Sequence, residues 1–312
     1  MIVLVKSGPE SMVSDWRKHF NAADPRLDIR WWADPSVKPE DVQYVVVWDP
    51  EPGRLATFPN LKITFSSAAG VDNIVRDPVW PRHLPLVRMG GDGTERRMAE
   101  FVLWSCLSLV RDMRRMQLAQ NEKKWIGIEQ RTAVAERRVG IMGMGNLGKK
   151  AAMLLRDVGF EVAGWSQSRK DILGVESFAG KGEFPAFLAR TDILVCLLPS
   201  TPDTNGLVNA ESLAMLPEGA QFVNVGRGQH VVEADLLAAL DSGHLAGALL
   251  DVFPEEPLSP ESPFWSHPKV VVTPHVASLA PRSERARYVA EAIQAHERGE
   301  GLPNIYDPVK GY

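Results

Sequence analysis

Residues 139–148 read Val-Gly-Ile-Met-Gly-Met-Gly-Asn-Leu-Gly, and no other stretch constrains the fold of this chain as strongly. An apolar run ends at Met142, Gly143, Gly145 and Gly148 follow at the spacing G-x-G-x-x-G, and an amphipathic segment begins at Asn146. Glycines at these places permit a tight strand-to-helix turn, close approach of backbone to a pyrophosphate, and close packing of helix on strand. The new helix then offers unpaired N–H groups and the positive end of its dipole to phosphate oxygens. The segment Gly143, Met144, Gly145, Asn146, Leu147 and Gly148 is therefore the candidate phosphate cradle of a dinucleotide site.

The strand after such a turn normally ends in an Asp or Glu that reads the adenosine ribose. Here the run 161–165 ends in Ser166, Gln167, Ser168, Arg169 and Lys170, with no carboxylate among them. A carboxylate would repel a 2′-phosphate, whereas Arg169 and Lys170 attract one and Ser166 and Ser168 can donate hydrogen bonds to it. The reading is NADP(H) as preferred cofactor, with NAD(H) possible. The bland alternative is a solvated Arg-Lys turn.

Around this motif, short apolar runs alternate with helical patterns from end to end, the rhythm of parallel βαβ units. Strands are predicted at 1–5, 27–31, 44–48, 62–66 and 86–89, then at 139–142, 161–165, 193–197, 221–225, 247–252 and 270–273. Helices are predicted at 95–117, 146–158, 232–240 and 281–298. A polar stretch, 120–131, reads as an exposed arm whose Trp125 is an apolar anchor suited to a subunit contact. At 312 residues the chain is long for one core, so two domains are expected.

Three residues near strand ends have the chemistry to reduce a 2-oxo acid, which needs a cation for the carboxylate, a proton donor for the carbonyl, and a partner for that donor. Arg227 lies between Gly226 and Gly228 just past the run 221–225, where open α/β sheets bind ligands. His275 follows Thr273-Pro274 past the last strand, and Glu256 lies in the loop after Asp251-Val252-Phe253. A histidine paired with a carboxylate holds its proton more tightly and can serve as an acid. Read alone, each has an ordinary alternative: a structural ion pair, a satisfied loop histidine, a solvated acid.

The chain has 35 Lys+Arg against 39 Asp+Glu, a formal charge of −4, which gives no reason to expect nucleic acid or an anionic membrane as partner. Cys106 and Cys196 sit in apolar runs and read as reduced, buried thiols of a cytoplasmic protein. No Cys/His spacing suits a metal, and no stretch is long enough for a membrane span.

Taken together, the glycine turn, Leu198 to Thr204, Asn224 to Gly228, Asp251 to Phe253 with Glu256-Pro257-Leu258, and Thr273-Pro274-His275 resemble the D-isomer-specific 2-hydroxyacid dehydrogenase family, in its order and approximate spacing. Within that family, the turn from Trp165 to Lys170 and the terminal Gly311-Tyr312 are most similar to bacterial glyoxylate/hydroxypyruvate reductases. The resemblance implies two doubly wound parallel-sheet domains, Rossmann-like and flavodoxin-like. Residues 98–281 would form a dinucleotide-binding domain inserted into a substrate-binding domain of residues 1–97 and 282–312. It implies Arg227 as substrate anchor, His275 as proton donor and Glu256 as its partner. Leu198, Pro199, Thr204, Val225, Gly226, Asp251 and His275 would contact the cofactor, with Asp251 meeting the nicotinamide amide. Backbone N–H groups of Ala69 and Gly70 would meet the substrate carboxylate, in a loop that carries Ala68 where Gly is common. Trp48 would cap a small substrate, and the protein would be a homodimer. The rival readings are a dehydrogenase of phosphoglycerate or branched acids, and a non-catalytic dinucleotide-sensing protein.

Overall fold

The computed structural model describes residues 1–127 and 133–308. The predicted arm is thus seen only to Gly127, and Gly311-Tyr312 lie outside the described residues. The chain divides into two compact units, Met1–Thr94 with Leu279–Tyr312, and Glu95–Ser278.

In the first unit the chain runs β1 (Ile2–Lys6), α1 (Val13–Ala23), β2 (Asp28–Trp31), β3 (Val42–Val47), β4 (Ile63–Ser66), α2 (Asp72–Val75) and β5 (Leu86–Val87). All pairings are parallel, in the order β2-β1-β3-β4-β5. The apolar run 44–47 of β3 follows from burial on both faces. Tyr44 and Val46 pack with Val3, Val5, Trp16 and Phe20, while Val45 and Val47 pack on the other side with Leu4, Leu55 and Trp80. The strand order reverses between β1 and β3, so Ser7 and Trp48 emerge at the switch point, at the carboxyl ends where such sheets bind ligands.

Where the sequence predicts one helix at 95–117, the structure has two, α3 (Asp92–Val110) and α4 (Met113–Asn121). Between them Asp112 adopts φ 53°, a left-handed turn that a short polar side chain tolerates. In the second unit α3 and α4 are followed by β6 (Arg138–Met142), α5 (Asn146–Val158), β7 (Glu161–Ser166), β8 (Val175–Ala179), α6 (Gly180–Ala189), β9 (Ile193–Cys196), α7 (Ala210–Ala214), β10 (Ala220–Asn224), α8 (Glu233–Asp241), β11 (Leu245–Leu250) and β12 (Val270–Val272). The seven strands are parallel in the order β12-β11-β10-β9-β6-β7-β8. The reversal between β6 and β9 places the glycine turn at the switch point. One core lies on each face of this sheet, around Phe187, Phe222 and Leu236 on one side and Val102, Ile141 and Leu155 on the other.

Finally α9 (Arg282–Glu297) returns to the first unit and buries Ala286, Val289 and Ile293 against Trp16, Phe20 and Ile29.

Candidate active site

The glycine turn is built as its spacing requires. Gly143 has φ +100°, and a Cβ there would lie 2.6 Å from the Leu197 carbonyl oxygen. A Cβ at Gly148 would lie 1.9 Å from Gly143 O. Gly145, the N-cap of α5, instead faces open space and makes no side-chain cap. The α5 N-terminus therefore offers backbone donors with room beside them, which fits a pyrophosphate. Met144 contributes only backbone, because its side chain is buried against Gly164. Leu147 packs against the core on the α5 face.

At the end of β7, Ser166 Oγ donates to Ser168 O at 2.8 Å, and Lys170 Nζ donates to Ser168 Oγ at 2.9 Å. Gln167 is exposed. Arg169 turns away from this group to pair with Glu183 and donates to Ser177 O. Ser166, Ser168 and Lys170 thus form one polar cluster, and Arg169 is a step removed from it.

Beyond β9, Leu198 is buried, and Thr204 Oγ1 donates to Pro199 O at 2.7 Å and accepts from Thr201 N–H at 2.9 Å, pinning the loop 198–204. Beyond β10, Val225 and Gly226 are buried and Arg227 is partly exposed. The Arg227 carbonyl accepts from Asn224 Nδ2 at 2.9 Å, and the guanidinium Nη1 donates to Gly226 O at 2.7 Å. A Cβ at Gly228 would lie 1.9 Å from Phe253 C, so only glycine lets the Arg227 turn press against the segment that leads to Glu256.

That segment closes on His275. Its Nδ1 lies 2.7 Å from Glu256 Oε2, while Glu256 Oε1 accepts from Phe253 N–H at 2.9 Å. Both side chains are about one-third exposed, at 33% and 34%. Burial pushes the Glu256 carboxyl up, but hydrogen bonds from His275 and Phe253 and the charges of His275 and Arg227 bring it below the usual carboxylate range overall. With Glu256 ionised, His275 Nδ1–H is the donor to it, which leaves Nε2 as the second proton-carrying atom.

His275 has φ 53°, a left-handed conformation uncommon for residues other than glycine. Buried Asp251 holds it there: Oδ1 accepts from Thr273 Oγ1 at 2.6 Å and Val276 N–H at 3.0 Å, Oδ2 accepts from Ala277 N–H at 3.0 Å, and Asp251 O accepts from His275 N–H at 2.8 Å. The carboxylate expected to meet a nicotinamide amide is thus mainly committed to the His275 loop. Oδ2 alone retains capacity for a further donor.

In the first unit, Trp48 is partly exposed at the end of β3, its N–H donating to Lys6 O. After β4, Ser66 Oγ donates to Gly70 O at 2.6 Å and accepts from Ala68 N–H at 3.2 Å, folding the loop on itself. Ala68 is not among the left-handed residues, so its side chain costs the loop nothing there. Among the described residues, no acceptor takes the N–H of Ala69 or Gly70, both partly exposed.

One residue that motif reading passes over is His230, fully buried beside Arg227. Only its nearness to Gly226-Arg227-Gly228 could have flagged it. Among the described residues no group of His, Cys, Asp and Glu is arranged to hold a metal ion, and no helix is long and apolar enough to cross a membrane.

Residues 103–277 match the family model for the NAD-binding domain of D-isomer specific 2-hydroxyacid dehydrogenases. The chain is 40% identical over 302 residues to glyoxylate/hydroxypyruvate reductase A of Salmonella paratyphi B, covering 95% of this chain and 96% of that protein. Among solved structures, it is similar to a D-isomer specific 2-hydroxyacid dehydrogenase from Xanthobacter autotrophicus in complex with NADPH and MES. That likeness has 43% identity and a TM-score of 0.91, covering 100% of this chain and 99% of the other. It is also similar to an NADPH-dependent glyoxylate/hydroxypyruvate reductase from Sinorhizobium meliloti in complex with NADP and sulfate, with 40% identity, a TM-score of 0.91 and the same coverage.

Proposed function

Because the chain belongs to the D-isomer specific 2-hydroxyacid dehydrogenase family, we propose that it reduces small 2-oxo acids, glyoxylate and hydroxypyruvate foremost, with NADPH. The observation that carries this reading is the 2.7 Å His275–Glu256 pair, standing in the same unit as Arg227 and the open glycine turn.

When bound, the reduced nicotinamide supplies the hydride. The α5 N-terminus and the backbone at Gly145 and Asn146 hold the pyrophosphate, and Leu198, Pro199, Thr204, Val225 and Gly226 line its path. Lys170, Ser168 and Ser166 hold the 2′-phosphate, with Arg169 adding long-range charge. Asp251 sets the backbone of His275, and its Oδ2 is suited to one amide donor.

The Arg227 guanidinium holds the substrate carboxylate and stabilises negative charge as it develops on the carbonyl oxygen. His275 gives the proton from Nε2 to that oxygen. Glu256 takes the Nδ1–H, which fixes the ring and stabilises its charged form. In the first unit, the N–H groups of Ala69 and Gly70 suit a carboxylate oxygen, and Trp48 offers an apolar wall to a short side chain. The buried thiols suit a cytoplasmic protein, and exposed Trp104, Met113 and Trp125 suit a homodimer contact.

The test is steady-state oxidation of NADPH and of NADH against a ladder of 2-oxo acids. The expected result is turnover with NADPH, best with the two- and three-carbon acids. Preference for branched acids would move the substrate assignment elsewhere in the family. NADPH binding without turnover of any 2-oxo or 2-hydroxy acid would reject the enzyme reading in favour of a dinucleotide sensor.

A further inference from the structure

His230 ends a short turn, Gly228–His230, and its side chain is fully buried. A buried imidazole loses hydration, so both nitrogens need partners. Nδ1 accepts the Arg227 N–H at 3.1 Å. That contact makes Nδ1 the unprotonated nitrogen, so Nε2 carries the hydrogen and donates to Pro199 O at 3.1 Å. The same carbonyl accepts from Thr204 Oγ1 at 2.7 Å, which fills both of its lone pairs. Cys196 Sγ lies 3.4 Å from Nδ1, and burial pushes this thiol up to about 12, which keeps it protonated and able to donate weakly. Gly226 leaves the ring its place: a Cβ there would lie 3.0 Å from His230 Cε1 and Nδ1.

We propose that His230 is a positioning residue that couples the Arg227 substrate anchor to the dinucleotide-facing loop at Pro199, one ring nitrogen serving each. The proposal rests on the reading of Arg227 as carboxylate anchor and of residues 198–204 as cofactor loop. The Arg227 backbone is held at its carbonyl by Asn224 and at its N–H by His230, so losing the imidazole frees one end of the anchor. An aliphatic side chain would fill the same space without either link, so the polar choice supplies geometry rather than bulk.

The two links can be separated. His230→Leu removes both. His230→Asn places an amide oxygen where Nδ1 stood, and His230→Gln places an amide N–H where Nε2 stood. For His230→Leu the KM for glyoxylate rises about 10–100-fold, as displacement of a binding group by less than an ångström suffices to cause. Its Kd for NADPH also rises, while its melting temperature falls by only a few degrees, the cost of one unpaired backbone N–H. His230→Asn restores KM but not the NADPH Kd, and His230→Gln does the reverse. Wild-type constants in His230→Leu overturn the proposal, as does equal loss in all three variants accompanied by a much larger fall in melting temperature. Arg227→Ala is measured in parallel. If it keeps a wild-type KM, the anchor reading itself fails and the proposal with it. If it loses KM while His230→Leu does not, the proposal fails alone.

Discussion

His275 Nδ1 and Glu256 Oε2 stand 2.7 Å apart although the two residues reach each other from separate loops, one after β12 and one after β11. Bonds besides their own hold both residues: Asp251, at the head of the β11 loop, holds the His275 loop, and the Phe253 N–H holds Glu256. The pair is therefore preset rather than assembled by substrate. Glu256 sits below the usual carboxylate range, so it is ionised at neutral pH and stays so through mild acid. In the proposed mechanism reduction needs the proton on His275, and the ionised Glu256 accepts the Nδ1–H that orients the ring. In Glu256→Gln the charge that holds this proton is gone. As a result kcat at neutral pH drops by about 10²-fold. A kcat near wild type, with hydride transfer shown to limit the rate, contradicts the pairing.

As the proposed carboxylate anchor, Arg227 would act through a planar fork as well as through charge. Arg227→Ala raises KM for the 2-oxo acid and lowers kcat, and Arg227→Lys recovers only part of either, because an ammonium cannot donate two parallel hydrogen bonds. Full recovery by lysine in steady-state assays would mean that charge alone matters.

In the proposed function cofactor choice rests on the cluster after β7. One or two charge-assisted contacts to a 2′-phosphate contribute about 1.5–3 kcal/mol each, so NADPH is favoured over NADH by about tenfold or more in kcat/KM. Ser166→Asp reverses much of this by repelling the phosphate and accepting from a free 2′-hydroxyl. Because Arg169 is engaged with Glu183 while Lys170 lies on Ser168, Lys170→Ala loses more of the preference than Arg169→Ala. The opposite ranking would show that Arg169 leaves Glu183 when phosphate binds.

Much of this was legible in the sequence, for reasons visible in particular residues. Strands buried on both faces write themselves as apolar runs, as Val45, Val46 and Val47 do. The glycine turn is legible because Gly143 and Gly148 have no room for a side chain. Edge strand β8 was missed because Val-Glu-Ser-Phe-Ala, with no fully buried residue, carries no run, and α6 because Gly182 and Pro185 interrupt it. The break at Asp112 was missed because a left-handed aspartate leaves the helical periodicity on either side intact. The resemblance singles out Asp251 as a candidate site residue, but its commitment to Thr273, Val276 and Ala277 depends on a loop returning to it in space. His230 carries no motif at all, since burial is a property of the fold.

Stability towards acid provides a check independent of catalysis. Burial raises the Asp192 carboxyl, but hydrogen bonds from the Arg138 side chain and N–H outweigh it and hold the group below its ordinary value. A depressed carboxyl stabilises the fold above its unfolded-state pKa, and that contribution fades as pH falls through the folded-state value. Asp192→Asn therefore lowers stability by about 1–2 kcal/mol at neutral pH, the Arg138 end being partly solvated. The difference from wild type shrinks in acid. Denaturant melts at neutral and acid pH read this directly, and a gap that widens in acid contradicts the assignment.

In the proposed mechanism His275 delivers the proton to the carbonyl oxygen, while most of the cofactor's contacts come from other residues. Single-turnover oxidation of bound NADPH by glyoxylate in His275→Gln tests it, with NADPH affinity measured on the same preparation. The expected result is a rate lowered by about 10²–10⁴-fold with nearly unchanged NADPH binding. A variant that binds NADPH and turns over at most of the wild-type rate would contradict it.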